Sequence, residues 1–190
     1  DYIDHYAVYP DIDRGLVRIV NYLGAPASKD AILQVQLASG QQASVPVKKG
    51  DSTAELELKL KGPRLWSLED PYLYDITLRL GNDLVKGYFG YRKISVTNLP
   101  GSNIPYIALN NKPIYVQLAL DQSYHPDGFY TFPSDAFMKD EIIRSKRIGL
   151  NGIRTHIKVD IPRKLYWADK LGLLVMSDVP NSWGEPDAAM

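Results

Sequence analysis

From residue 2 to about 97, apolar and polar positions alternate in short runs: GLVRIVNYL (15–23), AILQVQLAS (31–39), STAELELKL (52–60), LYDITLRL (73–80) and KGYFGYRKISV (86–96). In AELELKL, Leu56, Leu58 and Leu60 point one way while Glu55, Glu57 and Lys59 point the other. A period of two marks a strand with one face buried. The runs are separated by residues that break or turn a strand: Pro10 through Gly15, Gly24 to Pro26, Gly40, Lys49 to Asp51, and Gly81-Asn82-Asp83 as a tight hairpin turn. Roughly six or seven strands at this spacing predict an antiparallel β-sandwich of immunoglobulin-like proportions.

The rhythm changes in the second half. YIALNNKPIYVQLALD (106–121) reads as a strand, an Asn110-Asn111 turn and a second, almost wholly apolar strand. Ser134 is placed to cap a helix, with Asp135 near its positive end. In DAFMKDEIIRSKRIGL, Phe137, Met138, Ile142 and Ile148 form an apolar stripe, and Gly149 can close the helix. A short strand around Ile153 follows, then a second helix with Asp160 as its expected cap, Pro162 in its first turn and Gly172 after its last. LLVMSDVP (173–180) is the next apolar strand. Strands this apolar, alternating with helices, predict parallel pairing in sequence order around Val116, Ile153 and Val175, with both helices on one face. TNLPGSNIP (97–105) is the expected linker between the halves.

Composition trims the functional choices. With 22 basic and 22 acidic residues the net charge is zero, and no basic block offers a phosphate track, which counts against nucleic acid. There is no cysteine, so disulfides and thiolate chemistry do not enter. No apolar run nears the roughly 20 residues a membrane span needs. The opening DYIDHYAVYP lacks the basic and apolar regions of a secretion signal. No spacing of His, Asp and Glu matches a helical metal site, and no cofactor is expected.

GLNGIRTHIKVD (149–160) raises the chemical question, because its buried strand ends in Arg154 and His156, both costly to bury and useful to expose. Other landmarks give it a context. Trp66, Ser67, Glu69, Pro71, Leu73 and Tyr74 form a Trp-Ser-x-Glu-x-Pro-x-Leu-Tyr pattern, and Phe89, Gly90, Tyr91 and Arg92 an aromatic-Gly-aromatic-Arg element. LNNKPIYVQLALDQSYHPDG (109–128) and WADKLGLLVMSDVP (167–180) flank the arginine strand. In this order and spacing the chain resembles glycoside hydrolase family two, the β-galactosidase, β-glucuronidase and β-mannosidase group.

The resemblance implies that residues 1–98 are an immunoglobulin-like β-sandwich domain and residues 105–190 the first three strands and two helices of a truncated TIM (β/α)8 barrel. The chain would then be an internal fragment, with a further β domain before Asp1 and five barrel strands after Met190. Family members are retaining enzymes, whose two carboxylates stand about 5 Å apart. Their acid/base is a glutamate directly after an asparagine at the end of the fourth barrel strand, and the nucleophile follows the seventh. Here none of the eight asparagines precedes a glutamate, and the five glutamates are Glu55, Glu57, Glu69, Glu141 and Glu185. The catalytic pair is absent, and the fragment is expected to be inactive.

What remains is the rim of a pocket. Residues at the C-terminal ends of barrel strands face the active site. Asp121, Arg154, His156 and Asp178 are therefore expected to bind substrate, with Trp183 stacking on a sugar ring. In the family, the arginine matching Arg154 keeps the nucleophile carboxylate ionised. Plainer readings stand beside these: a simple ion pair for Arg154, a backbone cap for His156, and acceptors of loop N–H groups for Asp121 and Asp178. The expected partner of the parent enzyme is a carbohydrate, with no nucleic acid or membrane. Self-association through the incomplete barrel is also expected, because its third strand keeps a free edge unless the tail with Trp183 folds over it. Export of the parent to the periplasm or medium is a family-level expectation only. A second functional reading is a carbohydrate-binding or interaction module built on the sandwich and its tyrosines. Three barrel strands are superfluous to such a module, which favours the first reading.

Overall fold

The alternating runs fold as strands in a computed structural model that describes residues 1–122, 124–180 and 184. β1 (Ile3–Asp11), β2 (Leu16–Leu23) and β5 (Thr53–Lys59) form one antiparallel sheet in the order β1-β2-β5. β3 (Ala31–Leu37), β4 (Gln42–Val47), β6 (Leu73–Leu80) and β7 (Asp83–Gly90) form another in the order β4-β3-β6-β7. Val17, Ile19, Leu56 and Leu58 of the first sheet share one core with Leu33, Val35, Ile76 and Leu78 of the second. Each such side chain contributes about 1.5–3 kcal/mol by leaving water. Pro10 and Pro46 lie on the edge strands β1 and β4, where a missing N–H breaks no internal ladder.

Three expectations are corrected here. The run 86–96 is not one strand: β7 ends at Gly90, and β8 (Ile94–Asn98) belongs to a third sheet. The break follows from Trp66, whose backbone N–H donates to the Tyr91 carbonyl (2.9 Å) while the Arg92 guanidinium lies 4.3 Å above its ring. A Cβ at residue 90 would come within 3.3 Å of that ring, so the crossing needs Gly90. The expected linker 97–105 is instead a hairpin loop, because β8 pairs antiparallel with β9 (Pro105–Leu109) and Leu99 N–H closes on the Ile104 carbonyl (3.0 Å). The apolar strand after Asn110-Asn111 is also divided. β10 (Lys112–Pro113) returns against β9 through a turn with φ of 52° and 65° at the two asparagines, and past Pro113 the Ile114 N–H still donates to the Ile107 carbonyl (2.9 Å). β11 (Leu118–Asp121) then starts a separate sheet.

By contacts the chain forms two units, Asp1–Ser67 with Tyr72–Ile114, and Leu68–Pro71 with Tyr115–Met190. This grouping differs from the expected 1–98 and 105–190. β8, β9 and β10 remain with the first unit, where Asn110 binds both the Lys93 N–H (3.0 Å) and the Trp66 carbonyl (2.9 Å).

The second unit alternates strand and helix. β11 pairs in parallel with β12 (Gly152–Thr155), and β12 with β13 (Leu174–Ser177). α1 (Asp135–Arg147) and α2 (Pro162–Leu171) lie between them in the chain. Ile142, Ala168 and Leu173 pack with Ile153 as a small core, joined by Val175, so both helices share one face. Ser134 does cap α1, accepting the Phe137 N–H at 3.1 Å. Asp160 does not cap α2: the cap is Ile161, without a side-chain bond, and Asp160 is buried against lysines. Gly172 closes α2 at φ 77°, where its missing Cβ leaves room for the Leu68 carbonyl.

The two helices are clasped by Asp135. Its carboxylate accepts from Arg163 Nε (2.5 Å) and Nη2 (3.0 Å) and from Trp167 Nε1 (2.8 Å). The bond to Arg163, aided by Trp167, holds its pKa down to about 2 from 3.8. A depressed folded-state value means that the clasp stabilises fully above the unfolded value and is lost as pH falls towards the folded one. Unfolding midpoints measured from pH 5 to pH 2 should therefore fall more steeply for the wild type than for Asp135→Asn. Parallel profiles for the two would remove the clasp from the account.

Candidate functional site

The parallel register sets the geometry of the strand ends. Asp121, Thr155 and Ser177 stand side by side as the last residues of β11, β12 and β13. His156 N–H donates to the Asp121 carbonyl (3.0 Å), and Asp178 N–H to the Thr155 carbonyl (3.1 Å), which extends the alignment one residue past the strands. Four of the five expected site residues thus gather at the same end of one sheet. The fifth, Trp183, lies outside the described residues.

Arg154 and Asp178 are joined as a fork. Arg154 Nε donates to Asp178 Oδ1 (3.1 Å) and Nη2 to Oδ2 (2.8 Å). The same carboxylate accepts the Ile157 N–H at 3.3 Å, and Ile157 adopts φ 49°, left-handed for a β-branched residue. The Arg154 bond, assisted by that N–H, holds the Asp178 carboxyl below its ordinary range. The ion-pair reading of Arg154 is therefore realised, and its partner is another expected site residue. A bidentate guanidinium–carboxylate pair is a fixed, planar array of charge, suited to orienting a ligand's hydroxyls or carboxylate.

His156 meets Gln122. In the tautomer whose Nδ1 accepts from the Gln122 amide Nε2 at 3.1 Å, the ring proton sits on Nε2. The imidazole can then donate outward from that nitrogen. The Asp121 side chain binds the ammonium of Lys164.

Lys164 escaped the sequence reading. Its side chain is 1% exposed, and its Nζ lies among the Asp121, Glu141 and Asp160 carboxylates, the last two at 3.5 Å. Burial alone would push its pKa down; the three anions more than reverse that, and the net shift is upward. Burial pushes Glu141 up, against the pull of Lys164. A signal was present: Lys164 and the buried Ala168 are one helical turn apart, on the same stripe of α2. Among the described residues no group of three or more His, Cys, Asp or Glu is placed to hold a metal ion, and the ammonium fills the space between these three acids. No described helix is long and apolar enough to cross a membrane.

The first unit carries a separate hollow of about 360 Å³, lined in part by Tyr9, Arg14, Arg18, Glu57 and Lys93. Its charges pair with one another or with neighbours: Arg14 with Glu57 (3.2 Å), Arg18 with Glu55 (3.0 Å) and Lys93 with Asp13 (2.5 Å).

Comparison with known proteins gives these arrangements a setting. Residues 2–92 match the family model described as glycosyl hydrolases family 2. The chain is 25% identical to the β-galactosidase of Photobacterium profundum over 93% of its own length and 18% of that protein's. It is 28% identical to the Kluyveromyces lactis β-galactosidase over 71% of its length and 13% of that protein's. Among solved structures it superposes on a family 2 β-galacturonidase from Eisenbergiella tayi bound to galacturonate with a TM-score of 0.77 and 21% identity, covering 93% of this chain and 32% of that one. For a β-D-glucuronidase from Dictyoglomus thermophilum the TM-score is 0.71 and the identity 20%, with coverages of 97% and 31%. The chain therefore spans less than a third of the length of these relatives, and these likenesses show a shared fold of sheets with two helices.

Proposed function

We propose, for a chain that belongs to glycoside hydrolase family 2, that it is the segment of a retaining β-glycosidase in which the sugar pocket begins. In this reading the first unit is an immunoglobulin-like sandwich, and β11-α1-β12-α2-β13 is the opening of a TIM barrel, with substrate bound at the C-terminal strand ends. The observation that carries it is the Arg154–Asp178 fork held at the ends of two adjacent parallel strands, beside Asp121 and His156. The whole protein acts on a β-linked terminal sugar, galactose or a uronic acid, by analogy with the relatives named above. Arg154 and Asp178 orient the sugar, and His156 Nε2 donates to a hydroxyl.

This segment does not itself cleave. Retaining hydrolysis needs one carboxyl to protonate the leaving oxygen and another to form the covalent intermediate. The glutamates in the described residues are Glu55 and Glu57 in β5, Glu69 in a loop and Glu141 in α1, none of them at the end of a parallel strand. The alternative, a carbohydrate-binding module on the sandwich, draws on the hollow beside Tyr9, whose charges are already matched.

The test has two arms. Chromogenic β-galactosides, β-glucuronides, β-galacturonides and β-mannosides should give background release with the purified chain; turnover that survives repurification overturns the inactivity. In ligand-observed NMR, galactose or galacturonate should bind, and Arg154→Ala should weaken it by about tenfold or more, as loss of a charge-assisted pair implies. Binding untouched by Arg154→Ala but lost in Tyr9→Ala would move the site to the sandwich.

A further inference from the structure

Lys164 lies where electrostatics alone would not put it. It is the third residue of α2, in the turn where the helix dipole disfavours a cation. Its side chain is almost wholly buried, and desolvating an ammonium costs on the order of several kcal/mol. Four segments converge on its Nζ: the end of β11 through Asp121, α1 through Glu141 (3.5 Å), the loop before α2 through Asp160 (3.5 Å), and the loop before α1 through the Phe132 ring (4.8 Å). Lys158 shares Asp160 at 3.2 Å. Glu141 Oε2 is buried there without a hydrogen bond.

Such a cluster is a poor source of stability, since apolar residues of the same volume commonly serve as well. What it does provide is direction. We propose that Lys164 is a positioning residue for the strand-end site: its ammonium fixes the Asp121 carboxylate, and with it the end of β11, at the rim where Arg154, His156 and Asp178 stand. The link to the rim is short, because the Asp121 carbonyl also receives the His156 N–H. The proposal rests on the sugar-site reading above. The groups that set the charge at Nζ are Asp121, Glu141 and Asp160, with Lys158 behind Asp160; all four enter the test through one variant.

Lys164→Met keeps the length and removes the charge. Two readings follow it: titration of the Asp121 side-chain carboxyl by 13C NMR, and affinity for galactose or galacturonate in the wild-type and Asp121→Asn backgrounds. Loss of the cation should move the Asp121 midpoint upward by about one unit or more. It should weaken sugar binding about tenfold in the wild-type background and leave the Asp121→Asn background unchanged, since coupled residues do not add. A merely structural lysine would weaken both backgrounds alike; that result, or an Asp121 midpoint left in place, overturns the proposal. If Lys164→Met does not fold, Lys164→Gln, which keeps a donor without the charge, carries the same readings. If the wild-type chain binds no sugar, the sugar-site reading falls, while the carboxyl titration still decides whether Lys164 governs Asp121.

Discussion

Trp66→Ala should bring the first unit close to unfolding. Trp66 is fully buried and sits at the crossing between β7 and β8. Its indole carries the Arg92 guanidinium at 4.3 Å, its backbone N–H donates to the Tyr91 carbonyl, and its backbone carbonyl receives the Asn110 amide at 2.9 Å. Nearby, Tyr91 is also buried and donates its hydroxyl to the Asp11 carbonyl (2.8 Å). Truncating a buried tryptophan typically costs about 3–5 kcal/mol, from lost transfer energy and the cavity left behind. The stacked guanidinium adds about 0.5–2 kcal/mol. A domain with roughly 5–15 kcal/mol in hand loses a large fraction of it. Urea titration followed by tryptophan-independent circular dichroism should show the midpoint collapse for Trp66→Ala and a smaller fall for Trp66→Phe. A loss below about 1 kcal/mol for the alanine variant would mean that the crossing is held by something else.

The chain should self-associate through the uncovered face of its parallel sheet. The register puts Leu120, Arg154 and Met176 in one row and Ala119, Ile153 and Val175 in the other. Ile153 and Val175 pack with the helices, so the first row faces away from them. On that side Leu120 is 58% exposed and Met176 53%. An apolar row beside strand edges that pair with no other described strand attracts a second copy. In the parent enzyme, as proposed, further barrel strands cover this face. Sedimentation velocity from low to high micromolar protein should show a rising weight-average mass. Leu120→Lys with Met176→Lys, which flanks Arg154 with like charge, should shift the population to monomer. A wild type that stays monomeric at every concentration and binds no hydrophobic dye would show the face to be covered.

Much of this was written locally. Leu56, Leu58 and Leu60 alternate with charge because a strand repeats every two residues, and nothing distant is needed to see it. Ser134 with Asp135 announced α1 by its capping chemistry, and Gly149 and Gly172 its end and that of α2. Even the order strand, helix, strand, helix, strand followed from apolar runs of strand length between helical stripes. Pairing decided the rest. Whether residues 86–96 were one strand depended on Trp66 meeting Gly90 and Arg92. Whether 97–105 linked two domains depended on β8 finding β9. The site divides in the same way. Arg154, His156 and Asp121 were legible as polar residues at the ends of apolar strands. Their partners were not, because Asp178 lies 24 residues from Arg154 and Lys164 lies 43 from Asp121. Asp160 read as a helix cap from its neighbours and became a buried counter-ion once α2 was packed. Sequence settles what a residue's own turn or strand demands of it. A charge's partner depends on which segments the core brings together, and that only the tertiary structure decided.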